Sequence, residues 1–445
     1  MSTVRSEIRK LAGLASPVVA AQLGSMAMGT VDSLMVSRVG VDSLAAVSLA
    51  NAGIYAALLI GQGFVHGIDP IVTQAHGARD GEAMGLALQR GVVMSLVVSV
   101  PVIVMLSLTG DFLLAIGQDA ALAAAAHRYT VVQIPSVPLF LVYLAIRQYL
   151  QGREIMRPAM WVIFAANFFN AAANYVLIFG ALGFPALGLL GAGIATSSSR
   201  IFTLFGLLGL VWAGDLHRGA WVPWSAAAFS AAGLRRIAFY AAPIALQMAL
   251  EIGAFSGSTL LAGWLGAASL AAHHIVLTLA SISFMMALGI SQGAVTRVGN
   301  LIGAGNPVAA QRAAWVAMGM AAALMSVWGL VFVVFRNWLP LLWLPDDPLA
   351  AGLAASILPI AAAFQIFDGT QVAGCGVLRG MGRTRPAAVF NFIGYWVLAL
   401  PIAGWLLLNT DAGLPGIWWP LALGLAVVAT SLVLWIAVRG PGTIR

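Results

Sequence analysis

Four carboxylic acids stand at least four residues inside otherwise apolar stretches of this 445-residue chain: Asp32, Asp69, Glu251 and Asp368. An ionisable side chain at the centre of a bilayer costs at least about 2.5 kcal/mol on insertion scales, so each asks for a chemical reason. A carboxyl group in a poorly solvated site can carry a proton; once ionised it can hold a sodium ion or an organic cation. This is exchange chemistry. Glu251 and Asp368 lie too deep in their stretches to reach water along the helix, which points to function. Asp32 stands six residues before Arg38, which leaves room for a hydrated carboxylate as well as a binding one. Asp69 stands directly before Pro70, near the end of its stretch, where a structural or snorkelling role is expected.

Other polar residues gather near these acids or stand alone. Asn170 and Asn174 are four apart, so a helix places them on one face. Their amides could hydrogen-bond Asp32, or they could join one helix to another. Arg200, also within an apolar stretch, should pair with a neighbouring acid or carbonyl; His273 and His274, just past an outer loop, could titrate near neutral pH, though satisfied interfacial histidines are expected. Residues 289–293, Gly-Ile-Ser-Gln-Gly, match the G-x-S-x-G pattern of serine hydrolases. The equivalent residues of an internal repeat, 63–67, keep both glycines and lack the serine. The glycines therefore belong to the fold. No H-E-x-x-H or P-loop pattern is present, and the single cysteine, Cys375, forms no disulfide within the chain and no zinc set. An enzyme is not indicated.

The elements that must position these residues are read from composition. Hydrophobic residues make up 61% and charged ones 8%, against about a quarter charged in soluble domains. This is an integral membrane protein. Apolar runs and the breaks between them predict twelve spans: 11–36, 44–75, 91–114, 130–150, 159–180, 187–212, 237–264, 270–295, 313–339, 349–378, 387–408 and 417–438. The basic N-terminal residues precede no convincing cleavage site, so the first run is expected to be an uncleaved helix.

Short basic loops stay cytoplasmic. With both termini inside, only Arg38, Arg128 and Arg336 fall on the outer side and Arg200 within a span; the remaining basic residues, among them Arg383 and Arg445, are cytoplasmic. The net charge of +7 thus reports topology, and strung out as it is between hydrophobic blocks it gives no nucleic-acid surface. A single lysine among 22 basic residues hints at a GC-rich, bacterial genome.

A displacement of 226 positions lays Pro17 on Pro243, Gly63 on Gly289, Gly67 on Gly293 and residues 40–46 (GVDSLAA) on 266–272 (GAASLAA). At 228 positions, Arg157-Pro158-Ala159 meets Arg385-Pro386-Ala387. The expected fold is all-α: twelve transmembrane helices in two pseudo-symmetric six-helix lobes, an N-lobe of residues 1–220 and a C-lobe of residues 221–445. Each half crosses an even number of times, so the halves are parallel repeats, as in transporters with a substrate path between them. The acids break the symmetry, because Asp32 falls on Ser258 and Glu251 on Ser25.

The run VDSLMVSRVGVDSLAAVS after Pro17, the two Arg-Pro-Ala motifs, QGxxxxVxxxIGAGN at 292–306 and the duplicated arrangement together resemble the multidrug and toxic compound extrusion (MATE) family, over nearly the whole chain. The NorM-like branch of that family carries a first-span Asp, a seventh-span Glu and a tenth-span Asp, here Asp32, Glu251 and Asp368, with Asn170 and Asn174 matching its fifth span. The resemblance implies a MATE-like V-shaped cavity between two lobes and antiport of hydrophobic organic cations against inward Na⁺ or H⁺. It implies a substrate or proton site at Asp32, Asn170 and Asn174, and a cation-coupling site at Glu251 and Asp368 where Na⁺ would bind. A monomer in the cytoplasmic (inner) membrane is expected, with no cofactor beyond the coupling ion. A tyrosine that accompanies the tenth-span Asp in some members is Phe364 here. The rival is a flippase for a lipid-linked anionic sugar, which would need intramembrane Arg or Lys to meet pyrophosphate; only Arg200 qualifies.

Overall fold

A computed structural model describes residues 3–343, 345 and 347–444. Among them, twelve helices are long and apolar enough to cross a membrane: α1 Val4–Ser37, α2 Val41–Gly77, α3 Gly81–Ser107, α4 Ala120–Gly152, α5 Arg157–Phe179, α6 Leu189–Ala213, α7 Ala231–Trp264, α8 Ala267–Gly303, α9 Pro307–Val334, α10 Pro348–Gly380, α11 Arg385–Asn409 and α12 Pro415–Thr443. With no water in hydrocarbon, every backbone amide and carbonyl must be paired within its own segment, which is why apolar runs of this length become helices. All twelve overlap the runs read from the sequence, and most extend beyond them into polar ends.

Local chemistry sets those ends. The side chains of Asp80, Asp119, Asn306 and Asp347 each accept a hydrogen bond from the amide three residues on, at 2.9–3.0 Å, capping α3, α4, α9 and α10. Pro307 and Pro348 follow two of these caps, where a missing N–H costs nothing. Three helices change winding inside the span. A 3₁₀ turn at His66–Ile68 interrupts α2, another at Ile134–Ser136 interrupts α4 at Pro135, and a π-helical turn at Phe392–Ala399 interrupts α11.

The chain forms two compact units. One comprises Ala20–His76 and Asp80–Ala245; the other comprises Met1–Val19, Gly77–Arg79 and Leu246–Arg445. The first unit has a continuous core in which Ile68, Leu141, Leu144, Leu150 and Leu207 are buried. In the second, Leu11 and Ala15 of α1 pack with Ile290, Ala294 and Val298 of α8 and Ala313 and Ala317 of α9. Glu7, with no exposed surface, accepts two hydrogen bonds from the Arg297 guanidinium at 2.9 and 2.8 Å.

Small residues bring α8 and α10 together. A Cβ on Gly376 would fall 2.6 Å from the Ser291 carbonyl oxygen, so only glycine permits this crossing. Ser291 Oγ donates to the Val372 carbonyl at 2.6 Å. The serine of the hydrolase-like pattern thus joins two helices.

Orientation is testable on exposed loop positions. In a Cys375→Ser background, Asp411→Cys should react with an impermeant thiol reagent added outside, and Arg383→Cys only after access from inside; the reverse pattern would discard the topology. Asp346, the outer position that the topology read from the sequence selects for this labelling, and Arg445 lie outside the described residues.

Candidate functional site

Asp32, late in α1, is 7% exposed and belongs to the first unit. Its Oδ1 accepts from Asn174 Nδ2 at 2.5 Å and its Oδ2 from Thr196 Oγ1 at 3.2 Å. The same Asn174 amide donates to Asn170 Oδ1 at 3.1 Å. Four-residue spacing on α5 stacks the two asparagines, both fully buried, so Asn174 touches the acid and Asn170 braces Asn174. Helix α6 supplies Thr196 and, one turn later, Arg200. The guanidinium donates to Ser136 Oγ at 3.2 Å and lies 5.5 Å from the Phe140 ring centroid. It acts on Asp32 and Tyr129 only through space. Its direct partner is a hydroxyl, where the sequence had suggested an acid or a carbonyl.

Glu251 and Asp368 lie in the second unit and within electrostatic range of each other. Glu251 is flanked by Gln247, one turn earlier on α7, and by Gln371 of α10, with Arg379 further off. Gln371 Nε2 donates to Asn391 Oδ1 of α11 at 3.1 Å, and Asn391 Nδ2 donates to the Ala387 carbonyl at 2.8 Å. Asp368, 3% exposed, makes no hydrogen bond among the described residues. Phe364, one turn before it, faces Phe255 and Trp418 with ring centroids 6.1 and 6.0 Å away, and brings no oxygen.

The remaining polar residues form separate clusters. Of the structural and snorkelling roles expected for Asp69, the buried side chain takes the structural one: its carboxylate meets His66 Nδ1 at 3.0 Å and Gln148 Nε2 at 3.0 and 3.2 Å. The 3₁₀ turn before Pro70 draws it inward. His273 is buried and satisfied. Trp418 Nε1 donates to its Nδ1 at 3.2 Å, which leaves the ring proton on Nε2, 3.3 Å from Thr259 Oγ1.

Thr196, Gln247, Gln371 and Asn391 did not stand out in the sequence, since each is a common helix-joining residue. Two carried a signal nonetheless, because Gln247 is four residues before Glu251 and Gln371 three after Asp368, on the same helical faces. Among the described residues no group of three or more His, Cys, Asp or Glu could hold a metal ion. What the second cluster offers is two carboxylates with neutral amide oxygens, an all-oxygen donor set of the kind hard cations take.

The MatE family profile matches residues 17–176 and 243–405. The chain belongs to the MATE family. Its position in the NorM-like branch rests on relatives such as the multidrug resistance protein NorM of Burkholderia vietnamiensis, 37% identical over 429 residues, covering 95% of this chain and 92% of the relative. A multidrug resistance protein MdtK of Yersinia pseudotuberculosis is 32% identical over 97% of this chain and 95% of its own length. The eukaryotic MATE transporter AtDTX14 superposes with a TM-score of 0.91 at 23% identity, covering 99% of this chain and 97% of that one. An outward-facing multidrug resistance MATE transporter superposes at 0.89 and 19% identity, over 97% and 96%. These two likenesses establish the MATE fold. This MATE protein is a multi-pass membrane transporter and no enzyme.

Proposed function

We propose that this protein exports hydrophobic organic cations across the bacterial cytoplasmic membrane, as a monomer, in exchange for inward Na⁺ or H⁺. The observation that carries the reading is a carboxylate site in each compact unit, buried Asp32 in one and half-buried Glu251 beside buried Asp368 in the other, with no lysine or arginine in direct contact with any of the three among the described residues. A buried negative charge without a cationic partner is costly, and a proton, Na⁺ or an organic cation relieves it. Asp32 with Asn170, Asn174 and Thr196 serves as the substrate or proton site of the N-lobe, residues 1–220. Glu251 and Asp368 serve as the coupling site of the C-lobe, residues 221–445. Exchange requires that ion and substrate favour different lobe arrangements, because a ligand equally at home in both shifts nothing. The multidrug names of the NorM and MdtK relatives support cationic drugs as cargo.

A lipid-linked anionic sugar would need cations at the site. Arg200, in electrostatic range of Asp32, is engaged with Ser136 and Phe140. Dye efflux from proteoliposomes separates the two readings, with Na⁺ and H⁺ gradients imposed one at a time. External acid or external Na⁺ should accelerate release of an ethidium-like dye, and Asp32→Asn should blunt that response. Transport of anionic dyes with none of cationic dyes would defeat the proposal.

A further inference from the structure

In the unit of Glu251 and Asp368, several fully buried polar atoms have no hydrogen-bond partner among the described residues: Tyr395 Oη and Gln371 Oε1, whose residues interact with these carboxylates, and both amide ends of Gln365, three residues before Asp368. Buried polar atoms are nearly always paired. When several unpaired atoms lie in one unit near two carboxylates, one of which is itself unbonded, the natural account is a guest that takes their oxygens.

Tyr395 is the least expected of them. It stands in the π-helical turn Phe392–Ala399 of α11, and its oxygen is in electrostatic range of both Glu251 and Asp368. A π turn is a local insertion in an α-helix, and one added residue rotates every later side chain by about 100°. Two contacts fix this turn. Trp396 Nε1 donates at 2.9 Å to the carbonyl of Leu250, the residue before Glu251. On the other side Gly394 packs on α12, where a Cβ would fall 2.6 Å from the Gly424 carbonyl oxygen. The Tyr395 ring is held 6.0 Å from that of Phe255, so its hydroxyl cannot swing away freely.

We propose that Tyr395 is a specificity-determining residue of the Glu251–Asp368 site, its hydroxyl giving a neutral oxygen to the Na⁺ that the two carboxylates hold, in the position the π turn of α11 imposes. Phe364, one turn before Asp368, contributes no oxygen. The inference rests on the coupling role given above to Glu251 and Asp368.

The test is equilibrium binding of ²²Na⁺ to purified full-length protein, beside binding of a cationic dye to the same preparation. Tyr395→Phe removes one oxygen and keeps the ring contact with Phe255. Losing one ligand to a charged guest should weaken Na⁺ binding about tenfold. Dye affinity should stay unchanged, a split that a merely structural role would not give. Trp396→Phe, which releases the turn from Leu250, provides a second variant and should weaken Na⁺ about threefold, a smaller loss than that of a ligand. Wild-type Na⁺ affinity in both variants would overturn the inference and leave the transport reading standing. So would a wild-type protein that binds no ²²Na⁺ yet exports dye on a proton gradient. Failure of the transport reading looks different: Glu251→Gln would then leave dye export intact.

Discussion

Glu251→Gln and Asp368→Asn should each abolish gradient-driven dye export while leaving insertion and folding intact. Each change removes a charge and nearly preserves shape, so packing around Phe255, Phe364 and Trp418 is retained. What disappears is the carboxylate that a proton or Na⁺ would neutralise, and with it the difference in ion affinity between the two arrangements of the transporter. Shifting an equilibrium from one side to the other takes about 10⁴-fold differential affinity, which a neutral amide has little means to supply. Proteoliposomes carrying each variant, loaded with dye and given a Na⁺ or H⁺ gradient, should show efflux at the level of empty vesicles. Detergent-solubilised protein should elute as wild type. Export at the wild-type rate by both variants would remove this pair from the mechanism.

Arg297→Ala should cause the largest loss of stability. Glu7 is fully buried, and Arg297 grips it with two parallel hydrogen bonds. Removing one partner of such a pair leaves a desolvated charge, at a cost of about 3–5 kcal/mol. The pair also ties the first turns of α1 to α8 within their common unit. Thermal unfolding in detergent should therefore show a clearly lowered midpoint for Arg297→Ala. Arg297→Lys should fall between, because lysine keeps the charge and lacks the planar fork. The double change Glu7→Leu with Arg297→Leu should recover part of the loss, since replacing both charges by apolar groups removes the desolvation cost. An Arg297→Ala midpoint equal to wild type would mean that water reaches Glu7.

Much of the architecture was legible because hydrocarbon leaves the chain so few options. An apolar run of about 20 residues must become a helix, and twelve such runs were countable from residue types alone. Acids in those runs announced themselves by their cost, and the spacing of Asn170 and Asn174 marked a shared face. Interior helix geometry was harder to foresee. Nothing in Phe392–Ala399 distinguishes a π turn from an α turn, because its cause is the packing of Gly394 on α12 and of Trp396 on α7. The place of Asp69 before Pro70 suggested a structural or snorkelling role, but not that Asp69 would meet His66 and Gln148.

The sequence by itself determined the number of helices, the duplication, the family resemblance and the identity of the acids, since each depends on residue type and order along one chain. Only the tertiary structure decided who meets whom: that Asn174 and Thr196 reach Asp32, that Arg200 rests on Ser136 and Phe140, and that residues up to Val19 of α1 cluster with the second unit while Asp32 lies in the first. The physical reason is that these partners stand far apart along the chain. Helical periodicity tells which face a residue shares with its neighbours three and four positions away; which distant helix covers that face is settled by how closely small residues such as Gly376 and Gly394 allow two backbones to approach.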